Sequence, residues 1–333
     1  MSFPPFYKSI AVLAMSILAS SGAAQVEPNS ADNPNQPPPH TAPWPDLSTG
    51  EDRTSRQASV ELAPEYQRGV SATELLQERR RLDAALNGLQ PQRPGTIDAY
   101  VLTIALDSDP VFAREAREAA NVLSRRYDAA GRTITLAGPD GQSNELPQGS
   151  ITALLTALAH LAEVMDRDED VLVLYSTSHG APVGLAYHYG DTGYGILSPT
   201  HLKSVFEEIG IERRILIISA CYSGIFAPAL ASDNTAILTA AAGNRTSFGC
   251  RAENDWTYFG DALINRALRK PVSIRDASRD ANLDIATWEA RAGLLASLPQ
   301  TIIGSSVDTW LSALTARMPQ TATEPVGRPA AGE

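Results

Sequence analysis

Two hydrophobic runs in this chain stop on residues able to do nucleophilic chemistry. DVLVLYSTS (170–178) is followed by His179 and Gly180, and RILIISA (214–220) is followed by Cys221. A thiolate attacks a carbonyl carbon far better than a thiol does, and an imidazole beside it can take the thiol proton or protonate a leaving amine. Gly180 allows close approach to the backbone, so that its N–H and that of Cys221 could receive a developing oxyanion. Ser219, Ala220, Ser223 and Gly224 are small and leave room for a peptide. Among the histidines, His160 lies on an apolar helical stretch, His188 in a hairpin, His201 at a helix start and His40 in a polar stretch, so His179 is the one placed for catalysis. The competing readings are a hydrogen-bonded loop histidine, an inert packed cysteine, or a structural disulfide between the chain's two cysteines, Cys221 and Cys250.

The elements around these residues alternate. Strands are expected at 97–106, 132–137, 170–178, 214–220, 235–242 and 300–306, and helices at 71–89, 111–127, 150–165, 199–210, 256–270, 273–295 and 308–317. Strands written as unbroken apolar runs and separated by amphipathic helices imply a mostly parallel sheet covered on both faces. In such sheets reactive groups gather beyond the carboxyl ends of the strands. If the strands ending at 178 and 220 are neighbours, His179 and Cys221 share one rim. The stretch 184–199, with glycine-containing turns, reads as a hairpin excursion.

The rest of the chain bounds its class. With 333 residues and 43% apolar content, it can bury a sizeable core, and a net charge of −11 with a pI near 5.0 argues against nucleic acid as a partner. Residues 1–24 place one lysine, a short apolar run and small residues in the order of a secretory signal peptide, too short for comfortable membrane spanning. The expectation is a periplasmic or secreted protein with no stable membrane insertion. Residues 25–60 are rich in Pro, Asn, Asp and Ser and read as a tether; with the helix at 71–89 they make a segment, 25–94, that precedes the main domain at 95–317. The tail, 318–333, is expected to be loose. Metal and cofactor motifs fail: DRDED (166–170) has Val171 where a calcium loop needs glycine, and there is no His-Glu-x-x-His pair, phosphate loop or Gly-x-Ser-x-Gly elbow. No cofactor is expected.

The pairing of strand, Ser-His-Gly, second strand and Ala-Cys-x-Ser-Gly resembles the legumain family of cysteine peptidases (peptidase family C13), within the caspase-like group, with the bacterial exported branch closest. TAAAGNRTSFGC (239–250) and DWTYFGDALINRAL (255–268) extend the resemblance, which covers about 95–307. It implies an α/β, caspase-like three-layer sandwich with about six mostly parallel strands, a His179/Cys221 dyad, an oxyanion hole from the N–H groups of Gly180 and Cys221, and a peptide or protein substrate. It also implies a substrate pocket near Ser219, Ser247 and Asp255. Legumains that prefer asparagine carry an acidic residue before the Ala-Cys pair; Ser219 stands there, so that preference is not carried over. Asp107 reads as a turn residue or as an orienting partner of His179. Residues 25–94 read as a propeptide or a spacer, and the family's activation by cleavage suggests the former. A transamidase using the same dyad and a non-catalytic scaffold with a Cys221–Cys250 bridge are the alternatives.

Overall fold

The computed structural model describes residues 38, 40–138 and 145–331; the expected signal peptide lies outside them. Six strands form the central sheet: β2 (Ala99–Ala105), β3 (Thr133–Leu136), β4 (Val171–Thr177), β8 (Arg214–Ser219), β9 (Thr235–Thr239) and β10 (Gln300–Ile303). Their order is β10-β9-β8-β4-β2-β3, parallel except for the antiparallel edge strand β10. Every residue of β2 and β4 is buried, which is why these strands read as continuous apolar runs.

The pleat sends alternate residues to opposite faces. Leu102, Leu172, Leu174, Leu216 and Ile218 pack with α2 (Ala72–Asn87), α4 (Ile151–Val164), α5 (Pro199–Ile209) and the short α6 (Phe226–Leu230). Val101, Val173, Tyr175, Ile215 and Ile217 pack with α3 (Pro110–Arg126), a π-helix over Gly260–Ala267, α7 (Ile274–Arg291) and α8 (Val307–Ala316). The molecule is thus an α/β sandwich of three layers, as the alternation predicts.

Two segments differ from expectation. The stretch read as a tether holds α1 (Arg53–Glu61), opened by Asp52 with a reciprocal Asp52/Ser55 capping box. It also leads into β1 (Glu65–Gln67), which joins β5 (Gly180–Ala181), β6 (Gly184–Tyr189) and β7 (Gly193–Leu197) in a second sheet of order β1-β7-β6-β5. Gly195 admits this pairing, because a Cβ there would lie 2.8 Å from the Pro64 carbonyl oxygen. The tail is also fastened. Trp256 Nε1 and Asn265 Nδ2 donate to the Val326 carbonyl, and the Arg328 and Ala330 N–H groups donate to Asp255 and Asp261. No helix among the described residues is long and apolar enough to cross a membrane.

Candidate active site

Strands β4 and β8 are neighbours, paired in parallel from Leu172 opposite Arg214 to Thr177 opposite Ser219. Two residues past that last pair stand His179 and Cys221. The register therefore brings imidazole and thiol to the same height on adjacent chains, and the Ser178 N–H, donating to the Ser219 carbonyl at 3.2 Å, carries the pairing to the rim. Gly180 lies against the backbone of Cys221: a Cβ there would fall 1.9 Å from the Cys221 carbonyl oxygen. Beyond Cys221 the chain turns sharply through Tyr222, at φ 58 and ψ 10, a left-handed conformation that a bulky side chain adopts rarely. The Tyr222 N–H is held by the Arg245 carbonyl at 2.7 Å, and the Gly224 N–H by Ala241 at 2.9 Å.

The sulfur of Cys221 sits half-buried against Ser247. The Ser247 N–H lies 3.3 Å from Sγ and its hydroxyl 3.7 Å, with the Ser247 carbonyl at 3.5 Å. Burial raises the thiol's pKa above its ordinary value; the Ser247 donors and the His179 charge oppose it without cancelling it. The imidazole is treated the other way. Burial alone would lower the His179 pKa, but Asp109, the Cys250 sulfur and the charge of Asp107 outweigh it and raise the pKa well above the usual value. Asp109 Oδ2 is 3.4 Å from His179 Nε2, and the ring meets Phe112 edge-on with centroids 5.0 Å apart. With 38% of the His179 side chain exposed, the ring is supported from behind and open in front.

Both cysteines are free thiols. Cys250 packs against the apolar cluster of Phe112 and Ala113 at the start of α3, near His179. It is a neighbour of the dyad on the same rim.

Beneath the rim, Glu115 of α3 is fully buried. Its Oε1 accepts from the Tyr175 hydroxyl and, at 2.9 Å, from Thr177, while Oε2 accepts the Thr257 N–H at 2.7 Å. Burial and the Glu115 charge keep the Tyr175 phenol protonated, so it stays a donor. One carboxylate thereby ties α3, the end of β4 and the 257 loop, the three pieces that set where His179 and Cys250 stand. Glu115→Gln places an amide NH2 against at least one of these donors. Leaving buried donors unmatched costs about 2–3 kcal/mol of unfolding free energy, to be read from urea denaturation with an unchanged m value.

The expected pocket residues separate. Ser247 touches the Cys221 sulfur. Ser219 is 1% exposed, its hydroxyl hydrogen-bonded to Thr257 at 3.1 Å, so it lies in the layer under the site and offers no wall to a substrate. Small size before the nucleophile reflects tight packing there. Asp255 is engaged by Arg114 at 3.4 Å and Arg328 at 3.6 Å, as well as by the tail. Asp107, 3% exposed, sits where β2 ends; its Oδ1 accepts the Asp109 N–H at 2.8 Å. Sequence reasoning passed over Asp109 and Glu115. It also passed over a convergence of donor atoms: His40, Asp107 and His188 place ligand-capable atoms within 4.8 Å of one another, as do Asp107, Asp109 and His179.

Comparison with known proteins follows this geometry. The Peptidase C13 family matches residues 148–304, the stretch that holds β4, β8, His179, Gly180, Cys221 and Ser247. The crystal structure of caspase-1 from Spodoptera frugiperda is similar at 14% sequence identity and a TM-score of 0.44, over 65% of this chain and 93% of that one. No curated protein matches. Over residues 148–304 the chain resembles the legumain-type cysteine peptidases of family C13.

Proposed function

We propose that this chain, with its C13-type segment, is an exported cysteine endopeptidase working through Cys221 and His179. The observation that carries the reading is the level register of β4 and β8, whose last pair, Thr177 opposite Ser219, stands two residues before His179 and Cys221 at the sheet's carboxyl rim. Cys221, its thiol proton released to solvent, attacks the scissile carbonyl carbon through Sγ, and the carbonyl oxygen takes up charge beside the N–H groups of Gly180 and Cys221. His179, held protonated by Asp109, Cys250 and Asp107, delivers its proton to the leaving amine. That breaks the C–N bond and leaves a thioester on Cys221. Water, deprotonated by the now neutral imidazole, attacks the thioester and releases the acid product and the Cys221 thiolate, which regains its proton from solvent and leaves His179 protonated again. The signal-peptide pattern of residues 1–24 supports export, and peptides or proteins are the substrates.

The test is a peptide-library digest by wild-type protein, before and after alkylation with iodoacetamide, with and without an added amine. New carboxyl termini that vanish on alkylation support the assignment. Amine-capped termini would point to transamidation, and cleavage that survives modification of Cys221 would end the thiol reading.

The resting thiol has a definite pH signature. Because burial disfavours the thiolate, the alkylation rate of Cys221, followed as the labelled peptide by mass spectrometry, is expected to rise with pH through a midpoint above that of a free cysteine. Ser247→Ala removes a donor to sulfur and moves that midpoint further up. An alkylation rate flat between pH 6 and roughly 9 would contradict the buried, neutral thiol.

A further inference from the structure

We propose that His40, Asp107 and His188 form a binding site for one divalent metal ion of the zinc class, which fastens the amino-terminal segment to the body beside the active site. Two imidazole nitrogens and one carboxylate oxygen converge to within 4.8 Å. Tetrahedral zinc with bonds of about 2.0–2.2 Å needs ligands roughly 3.4 Å apart, which small side-chain rotations supply. Two histidines and one carboxylate suit zinc with an open fourth position for water.

The donors are available and their supports are fixed. Asp107 spends Oδ1 on the Asp109 N–H, while Oδ2 faces His188 Nδ1 at 3.6 Å, beyond hydrogen-bond length. His40 uses Nε2 on the Ser108 hydroxyl at 2.8 Å, which leaves Nδ1, 3.8 Å from Asp109 Oδ1 and beyond hydrogen-bond length, for a ligand or, in turn, Ser108 as an outer-shell partner. The His40 and His188 rings lie 4.0 Å apart between centroids, close enough to share one ion. Backbone bonds lock Asp107 and His188 in register: the His188 N–H donates to Leu106 and the Ser108 N–H to His188, both at 2.9 Å. His40 is brought in by its neighbours, since the Thr41 and Ala42 N–H groups each donate to Asp191 Oδ1 at 2.7 Å and Trp44 abuts His188 and Tyr194. The three ligands come from positions 40, 107 and 188, so no local motif could announce them.

The site shares Asp107 with the Asp107, Asp109 and His179 group, and Cys221, Cys250 and His179 are themselves metal-competent, so the experiment uses the full chain carrying Cys221→Ala and Cys250→Ala. Zinc affinity is measured by competition with a chromophoric chelator, and the cobalt form is examined by absorption. The expected result is one ion per chain with the comparatively intense visible d–d bands of tetrahedral cobalt and no thiolate charge-transfer band, and an affinity at least about 10-fold lower in His40→Ala and His188→Ala, since even outer-shell partners are worth about 10–100-fold. His160→Ala and His201→Ala should leave it unchanged. His40 lies at the surface end of a docked segment, so His40→Ala tests the site even if His188→Ala fails to fold. Undiminished affinity in His40→Ala, or affinity that falls in His179→Ala and Asp109→Asn instead, would overturn the assignment.

Discussion

Alanine at Cys221 is expected to lower kcat/KM on every peptide the wild type cleaves by at least about 10⁴-fold, the scale on which loss of a nucleophile is felt. In the proposed mechanism the sulfur is the atom that forms the bond, and no other described side chain at the rim is aligned by the β4–β8 register in its place. Cys250 stands nearby, but it packs at the start of α3 against Phe112 and Ala113 and is a partner of the imidazole. His179→Ala should cost a comparable factor. The double variant should be little worse than either single one, because residues acting as one unit lose their effect together. Stability serves as the control: Sγ is half-buried and bonded only weakly through Ser247, so the unfolding midpoint of Cys221→Ala should stay near that of the wild type. A double variant showing the product of the two single losses would mean that thiol and imidazole work independently.

Gly180→Ala is expected to reduce kcat/KM by about 10²-fold or more and to lower the unfolding midpoint as well. The added carbon would lie 1.9 Å from the Cys221 carbonyl oxygen and 2.9 Å from its carbonyl carbon. Both obstacles are backbone, so no rotamer change relieves them. Either β5 or the turn after β8 must shift by more than an ångström, and misplacement of that size in a reacting constellation costs about two orders of magnitude. Gly243→Ala is the comparison: its nearest contact is the Ile225 side chain at 3.2 Å, which can yield, so its effect should be mild. A fully active Gly180→Ala would separate the glycine from the geometry of the nucleophile.

The sequence discloses the sheet because β2, β4 and β8 are buried on both faces and must be written in uninterrupted apolar residues. His179 and Cys221 were legible for the same reason, as polar residues placed where such runs stop. What the sequence hid is whatever depends on contacts between distant segments. Glu115 reads as one more charge on a helix, and only the fold reveals three donors converging on it. Asp109 reads as a helix entry, yet it faces His179. The segment 40–70 has no apolar period, since α1 buries none of its residues and is held by capping, and β1 is three residues long. Ser219 misled for a physical reason: small residues before a nucleophile look like space, whereas here they are filled.

The seating of β1 on β7 bears on what a proteolytic cut could accomplish. Residues 65–67 complete an antiparallel ladder, Arg68 reaches Tyr194, and Thr41 grips Asp191. Severing the chain near residue 94 would therefore nick the protein without discarding its front piece. The fragment would co-migrate with the remainder until something competed for the vacated strand edge, so scission and departure are two distinct events with separate energetics.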